Sequence, residues 1–331
     1  MIMSNQVSPV SPYPWQQTLL SQWQQLLQQQ RLHHAILLSG VEGMGQKVLL
    51  SYLAKTLLCP HSTVEPCQQC HSCQLFDANN HPDFHLIESE NSVKQIAVDT
   101  IRKSNELARK TSQLGGARVI LLSQAEQLGE AAANALLKTL EEPPEQCYFL
   151  LSCHHLDRLL PTIVSRCNRW HLPQPDEVEI KNWVEANRNA SVSLQLLRLN
   201  RGAPLATLSF LEQGKESEHQ QVVELFSQYL INNGQGWQLL TSVLAKFYPD
   251  SLQWLSYLLL DVTKWQQGVN QGLVHCDMTE ALVQITMKFS SIDILNQIRT
   301  LNQLQRTLVT NSGLNSELLI GEWLLGITGE Q

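Results

Sequence analysis

The chain has 331 residues, 43% hydrophobic and 16% charged, a soluble globular composition with room for roughly two to three domains and substantial cores. A net charge of −7 excludes a broadly cationic nucleic-acid binder and leaves only a local basic patch. No apolar run reaches the length of a membrane span and no basic stretch leads into an apolar signal core, so no membrane attachment is expected and the cytoplasm is the expected location.

Trp15 to Leu32 is rich in Gln, yet Leu19, Leu20, Trp23, Leu26 and Leu27 recur at helical spacing, which predicts an amphipathic helix. Ala35 to Leu38 reads as a short buried strand running into Gly40-Val41-Glu42-Gly43-Met44-Gly45-Gln46-Lys47, and Gln46 to Leu58 is helical again. Strand, glycine loop and helix form the context of a P-loop, G-x-x-x-x-G-K-[ST], whose backbone wraps phosphates, whose Lys reaches the β/γ oxygens and whose hydroxyl ligates Mg²⁺. Gly40 and Gly45 keep the spacing, with Gly43 between them, but Gln46 stands at the Lys position and Lys47 at the hydroxyl position. The loop is therefore expected to persist as architecture without bound nucleotide. The alternative is that Lys47 takes over the missing charge and weak nucleotide binding persists.

Cys59, Cys67, Cys70 and Cys73 lie within fifteen residues, whereas Cys147, Cys153, Cys167 and Cys276 are scattered. In a cytosolic chain the cluster suits a metal better than disulfides, and the scattered four suit buried small hydrophobes. Four thiolates with no open position fit structural tetrahedral Zn²⁺; three of them, Cys67, Cys70 and Cys73, would also suit an iron–sulfur cluster. Lys and Arg are absent from 56 to 93, so this module is not expected to touch phosphates and more plausibly braces a domain edge or subunit contact.

Further apolar runs predict strands at Phe84 to Glu88, Val119 to Leu122 and Tyr148 to Leu151, with helices at Val98 to Thr111 and Glu130 to Leu140. Apolar strands without polar alternation, interleaved with helices, imply a three-layer α/β domain with a parallel sheet, ending near His171. Leu172-Pro173-Gln174-Pro175 breaks the pattern, after which only helices are expected: Asp176 to Asn187, Ser193 to Gln213, and five or six more beyond the polar stretch Gly214 to Glu218. Trp237, Trp254, Trp265 and Trp323 in that last region are expected in its core.

Ala133-Asn134-Ala135-Leu136-Leu137-Lys138-Thr139-Leu140-Glu141-Glu142-Pro143-Pro144 followed by Ser165-Arg166-Cys167 resembles the clamp-loader branch of the AAA+ ATPases. The resemblance runs through the whole α/β region, including His33-His34-Ala35, the cysteine cluster and His81-Pro82-Asp83. It implies an AAA+ domain over 1–171 with a degenerate P-loop and an inserted zinc module, a small helical lid over 172–213 and a helical collar over 214–331. Active members end the Walker B strand in Asp-Glu and carry a sensor Arg after Gly-Ser; here Val119-Ile120-Leu121-Leu122 runs into Ser123-Gln124, and Leu205 follows Gly202-Ala203-Pro204. These losses agree with the altered loop and imply a subunit without its own ATPase, since phosphoryl transfer depends on positioned charge.

The Ser-Arg-Cys motif is intact. By resemblance Arg166 acts in trans, reaching the γ-phosphate held by a neighbouring subunit; read without the resemblance, Arg166 simply pairs with a carboxylate at a domain edge. The implied partners are the ATP-binding gamma/tau subunits and the delta subunit that holds the sliding clamp, within a hetero-oligomer of bacterial DNA polymerase III that meets primed DNA as a complex. The resemblance also favours zinc at the four cysteines, and places Asn134 and Lys138 near duplex DNA inside the ring. Two other readings stand against it: an active gamma/tau-type ATPase, disfavoured by Gln46, Ser123, Gln124 and Leu205, and a freestanding zinc-dependent nucleic-acid binder, disfavoured by the acidic balance.

Overall fold

The structure, a computed structural model, describes residues 11–61, 64–89, 95–311 and 313–328. Five strands form one parallel sheet: β1 (Ala35–Ser39), β2 (Phe84–Ile87), β3 (Arg118–Leu122), β4 (Cys147–Cys153) and β5 (Asn168–His171), in the order β2-β3-β4-β1-β5. The three central strands are buried on both faces, as expected for parallel strands covered by helices. Alternation along each strand sends Leu37, Ile120, Leu122, Phe149 and Leu151 into one core with Ile101, Leu136 and Leu140 from the helices Val98–Arg109 and Glu130–Glu141. The helix Gln46–Leu58 packs against β3 and β4.

The expected helix from Trp15 begins as a 3₁₀ turn, Pro14–Gln16, and the α-helix runs only over Gln17–Gln28, because Gln30 turns into the left-handed region at φ 53°. The helix at Gln46–Leu58 has the expected bounds. Among the elements that were not expected, two stand out. The helix His71–Asp77 lies inside the cysteine segment, and β5 pairs with β1 although its sequence, Asn-Arg-Trp-His, has no apolar run.

By internal contacts the chain divides into two compact units, 1–175 and 176–331. The second is helical throughout. Its long helix, Lys215–Ile231, starts inside the polar stretch expected to be a boundary, and one hydrophobic cluster joins Ile180, Leu197 and Phe210 to Val222, Phe226 and Leu258. The expected helix from Ser193 to Gln213 is two, Leu194–Leu199 and Pro204–Glu212, split where Arg201 takes φ 55°, Gly202 takes φ 62° and Pro204 begins a new helix. Trp254 and Trp323 are buried in this core, as expected, whereas Trp237 and Trp265 are only partly buried and pack against it.

Candidate functional site

Gly45, at φ 80°, turns the chain from the glycine loop into the helix Gln46–Leu58 as its N-cap. The chain makes its own side-chain contacts to the loop. The Gln46 side chain is buried, and its Nε2 donates to Val41 O at 2.9 Å, across the mouth of the loop, and lies 3.3 Å from His154 Nδ1. A Cβ at Gly40 would come within 2.9 Å of that same Nε2. From outside, Trp15 Nε1 donates to Met44 O at 2.9 Å and Gln16 Nε2 to Met44 O and Gly45 O, both at 2.9 Å. The Tyr13 ring stacks on Trp15 and leaves no room at Gly45, where a Cβ would stand 2.8 Å from Tyr13 Cε2. Lys47 points away and pairs with Glu88 at 2.5 Å, with both side chains about half exposed.

At the Walker B position Ser123 is buried, and Gln124, at φ 56°, donates its backbone N–H to Ser152 Oγ. Neither side chain offers a metal a carboxylate. The nearest acid along the chain is Glu126, whose Oε1 accepts the His154 backbone N–H at 2.8 Å. Sequence reasoning missed Tyr13, Trp15, Gln16, Glu126 and His154 here. Each lies outside the motif's lettering and reaches the loop only through the fold.

Arg166 follows the short helix Pro161–Val164. Cys167 turns inward and is buried, while Arg166 turns outward at 31% side-chain exposure. Its Nε donates to Glu141 Oε1 at 2.7 Å, Nη2 donates to the same oxygen, and Nη1 donates to Thr162 O at 2.9 Å. The two family motifs thus meet side chain to side chain. Within the single chain the carboxylate pairing is the geometry observed. Such an exposed pair is worth roughly 1 kcal/mol or less, so a phosphate of higher charge can compete for the guanidinium.

The four clustered cysteines converge, with all their sulfurs within 4.8 Å of one another. Zn–S bonds of about 2.3 Å place tetrahedral sulfurs about 3.8 Å apart, and Cys59 Sγ to Cys70 Sγ is 3.9 Å. Backbone N–H groups point at the sulfurs: Cys67 N at Cys59, Cys70 N at Cys67 and Cys73 N at Cys70, each at 3.4 Å. The Gln69 and Cys70 N–H groups hold the Cys67 thiol down to about 6, while burial pushes Cys59 and Cys73 up. Four soft donors converging with their lone pairs supported fit Zn²⁺. The scattered cysteines are free; Cys147, Cys153 and Cys167 are buried, and burial pushes Cys153 and Cys167 up to about 12, where they are inert. Cys276 is only half-buried.

His81-Pro82-Asp83 is a brace. The Asp83 N–H donates to His81 Nδ1, so Nε2 carries the ring proton and donates to Ser72 Oγ at 2.9 Å, which donates to Leu58 O at 2.7 Å. Burial pushes His81 down and keeps it neutral. Burial alone would raise Asp83, but the Gln113 and Leu114 N–H groups and Ser112 outweigh it and hold the carboxylate below its usual range. On the helix Glu130–Glu141, Leu136 and Leu140 are buried, whereas Asn134 and Lys138 are exposed. Among the described residues no helix is long and apolar enough to cross a membrane.

Two family descriptions match the chain: "DNA polymerase III, delta subunit" over residues 15–176 and "DNA polymerase III, delta subunit, C terminal" over 216–329. DNA polymerase III subunit delta' of Yersinia pestis is 37% identical over 324 residues, covering 95% of this chain and 94% of that protein. The subunit delta' of Haemophilus influenzae is 32% identical, covering 96% and 97%, and that of Escherichia coli K12 is 32% identical, covering 95% of each.

Proposed function

The chain belongs to the DNA polymerase III delta' family, and from that premise we propose that it is a clamp-loader subunit that leaves ATP hydrolysis to its neighbours and serves one of them with Arg166. The observation that carries this reading is the contrast between two motifs in one domain. In the glycine loop Gln46 hydrogen-bonds Val41 O while Trp15 and Gln16 hold the Met44 and Gly45 carbonyls, whereas the Ser-Arg-Cys motif still presents a partly exposed guanidinium.

The chemistry follows from what each group can do. A γ-phosphoryl in transfer spreads negative charge over its oxygens, and a planar guanidinium neutralises it with fixed donors. Four of the five guanidinium donors are engaged, two by Glu141, one by Thr162 O and one, at 3.5 Å, by Ser165 Oγ, so a phosphate presented by a neighbour takes the guanidinium by displacing the Glu141 carboxylate. Gln46 brings no charge to a phosphate, and Ser123 and Gln124 bring none to Mg²⁺. These features disfavour an active gamma/tau-type ATPase. Polymerase chemistry belongs to another subunit of the same holoenzyme.

The partners in this reading are gamma/tau on one side and delta, with the sliding clamp, across the ring. Residues 172–213 form the lid, and 214–331 contribute the collar. Lys138 and Asn134 face primed DNA weakly and only within the complex, and the assembly works in the cytoplasm. The four cysteines hold one structural zinc, which ties the end of the loop helix at Cys59 to Cys67, Cys70 and Cys73.

Arg166→Ala tests the proposal. Reconstituted with gamma/tau and delta, the variant should assemble normally, yet DNA-stimulated hydrolysis at the served site should fall roughly tenfold or more. Hydrolysis at the wild-type rate would sink the trans role. Titrating a labelled ATP analogue into the isolated chain should show no saturation in the micromolar range; saturation there would mean that the loop is open.

A further inference from the structure

Lys55 is the one lysine that the fold places wholly inside among the described residues, with a side chain 0% exposed. It lies near the end of the helix Gln46–Leu58, where apolar neighbours would be the ordinary choice. A buried ammonium without partners is very costly, so its surroundings are informative. Nζ donates to Asp77 Oδ1 at 2.7 Å and Oδ2 at 2.8 Å, and also to Gln68 Oε1. Its three donors are all directed at the cysteine module and none at solvent.

Both acceptors sit where they control the cysteines. Gln68 lies between Cys67 and Cys70 and holds φ 62°, a left-handed conformation that a non-glycine residue keeps only when its surroundings enforce it. Asp77 is the last residue of the helix His71–Asp77, which carries Cys73 in its first turn and has Cys70 as its N-cap. One ammonium therefore grips the turn between two sulfur donors and the far end of the helix that bears the last of them. A tetrathiolate around Zn²⁺ keeps a net negative charge, which a nearby buried cation stabilises.

We infer that Lys55, acting through Gln68 and Asp77, is a positioning residue for the metal module: it presets the spacing of Cys67, Cys70 and Cys73 without touching the metal. This rests on the four-cysteine zinc reading above. Without Lys55 the module loses the contact that fixes the Gln68 turn, and the metal must supply more of the ordering of the thiolates. Outer-shell partners of this kind commonly change metal affinity by about 10–100-fold.

The test is zinc affinity of the full chain by competition with a chromogenic chelator, alongside the far-ultraviolet circular dichroism of each variant. Lys55→Met keeps the length and apolar stem; Asp77→Asn keeps the size of the partner and removes its charge. Each should weaken zinc about 10–100-fold while helical content stays at the wild-type level. The double variant should lose little more than Lys55→Met alone, because that change already removes the contact to Asp77. Cys70→Ser should abolish tight binding. If the wild-type chain takes no zinc from the chelator, the metal reading itself fails. If it does, and Cys70→Ser does not, but Lys55→Met and Asp77→Asn match wild type within about twofold, the zinc stands and the role of Lys55 is overturned.

Discussion

At the scale of single residues, two side chains define this subunit. Gln46 replaces a phosphate-binding cation with an amide that hydrogen-bonds Val41 O, so the loop is stabilised by its own contents. Arg166, by contrast, is held by an exposed carboxylate that another anion can displace. Gly45 is the residue on which the sealed loop depends, since it combines φ 80° with a Tyr13 ring where a Cβ would go. Gly45→Ala should cost roughly 2–4 kcal/mol, from the forbidden backbone conformation and the clash together. Urea unfolding of the variant measures this, and a loss under about 0.5 kcal/mol would mean that Tyr13 does not pack there. The losses at Gln46, Lys47, Ser123, Gln124 and Leu205 were legible from the sequence because each is a change of residue type at a fixed place in a motif. That Glu141 is the carboxylate beside Arg166 was not: twenty-five positions separate them along the chain.

At the scale of elements, the strands that were legible are those with apolar runs, which need no partner to be seen: three buried on both faces and β2 at an edge. β5 was missed because an edge strand with exposed Asn168, Arg169 and His171 has no hydrophobic signature; its pairing to β1 creates it. The cysteine segment shows the same division. Its four cysteines were plain from spacing, but the helix His71–Asp77 and the braces from Lys55 and His81 depend on distant partners. Because these braces tie the module to the helix Gln46–Leu58, removing zinc should loosen the module without unfolding the sheet. Treatment with a chelator should speed proteolytic cleavage within 59–80 several-fold and leave the rest of 1–175 resistant. Global unfolding on chelation would show that the metal holds the whole unit.

At the scale of the whole molecule, the helical unit carries a buried polar chain that no motif announced. His219 Nε2 lies 3.2 Å from His275 Nε2, and His275 Nδ1 lies 2.9 Å from Asp261 Oδ2, all three side chains being buried. One donor must face one acceptor between the two Nε2 atoms, so full protonation of both rings would set N–H against N–H. Burial, with help from His275, pushes His219 down to about 3 from 6.5. The unfolded chain then binds the extra proton and the folded chain does not, so this stability is fully present above about pH 6.5 and is lost as pH falls toward 3. The unfolding free energy from urea titrations should drop across that window, by several kcal/mol at the acid end, and His219→Gln, which still donates but does not titrate, should flatten the slope. An unchanged slope would remove His219 from the account. The sequence by itself determined most of the order of elements, the parallel α/β architecture, the departures from the nucleotide motifs and the clustering of four cysteines, because periodicity, spacing and residue type are properties of the chain read locally. Only the tertiary structure decided what fills the loop, which acid holds Arg166, where Lys55 goes and how the two histidines meet. Those contacts join residues far apart in sequence, and burial makes each polar partner obligatory.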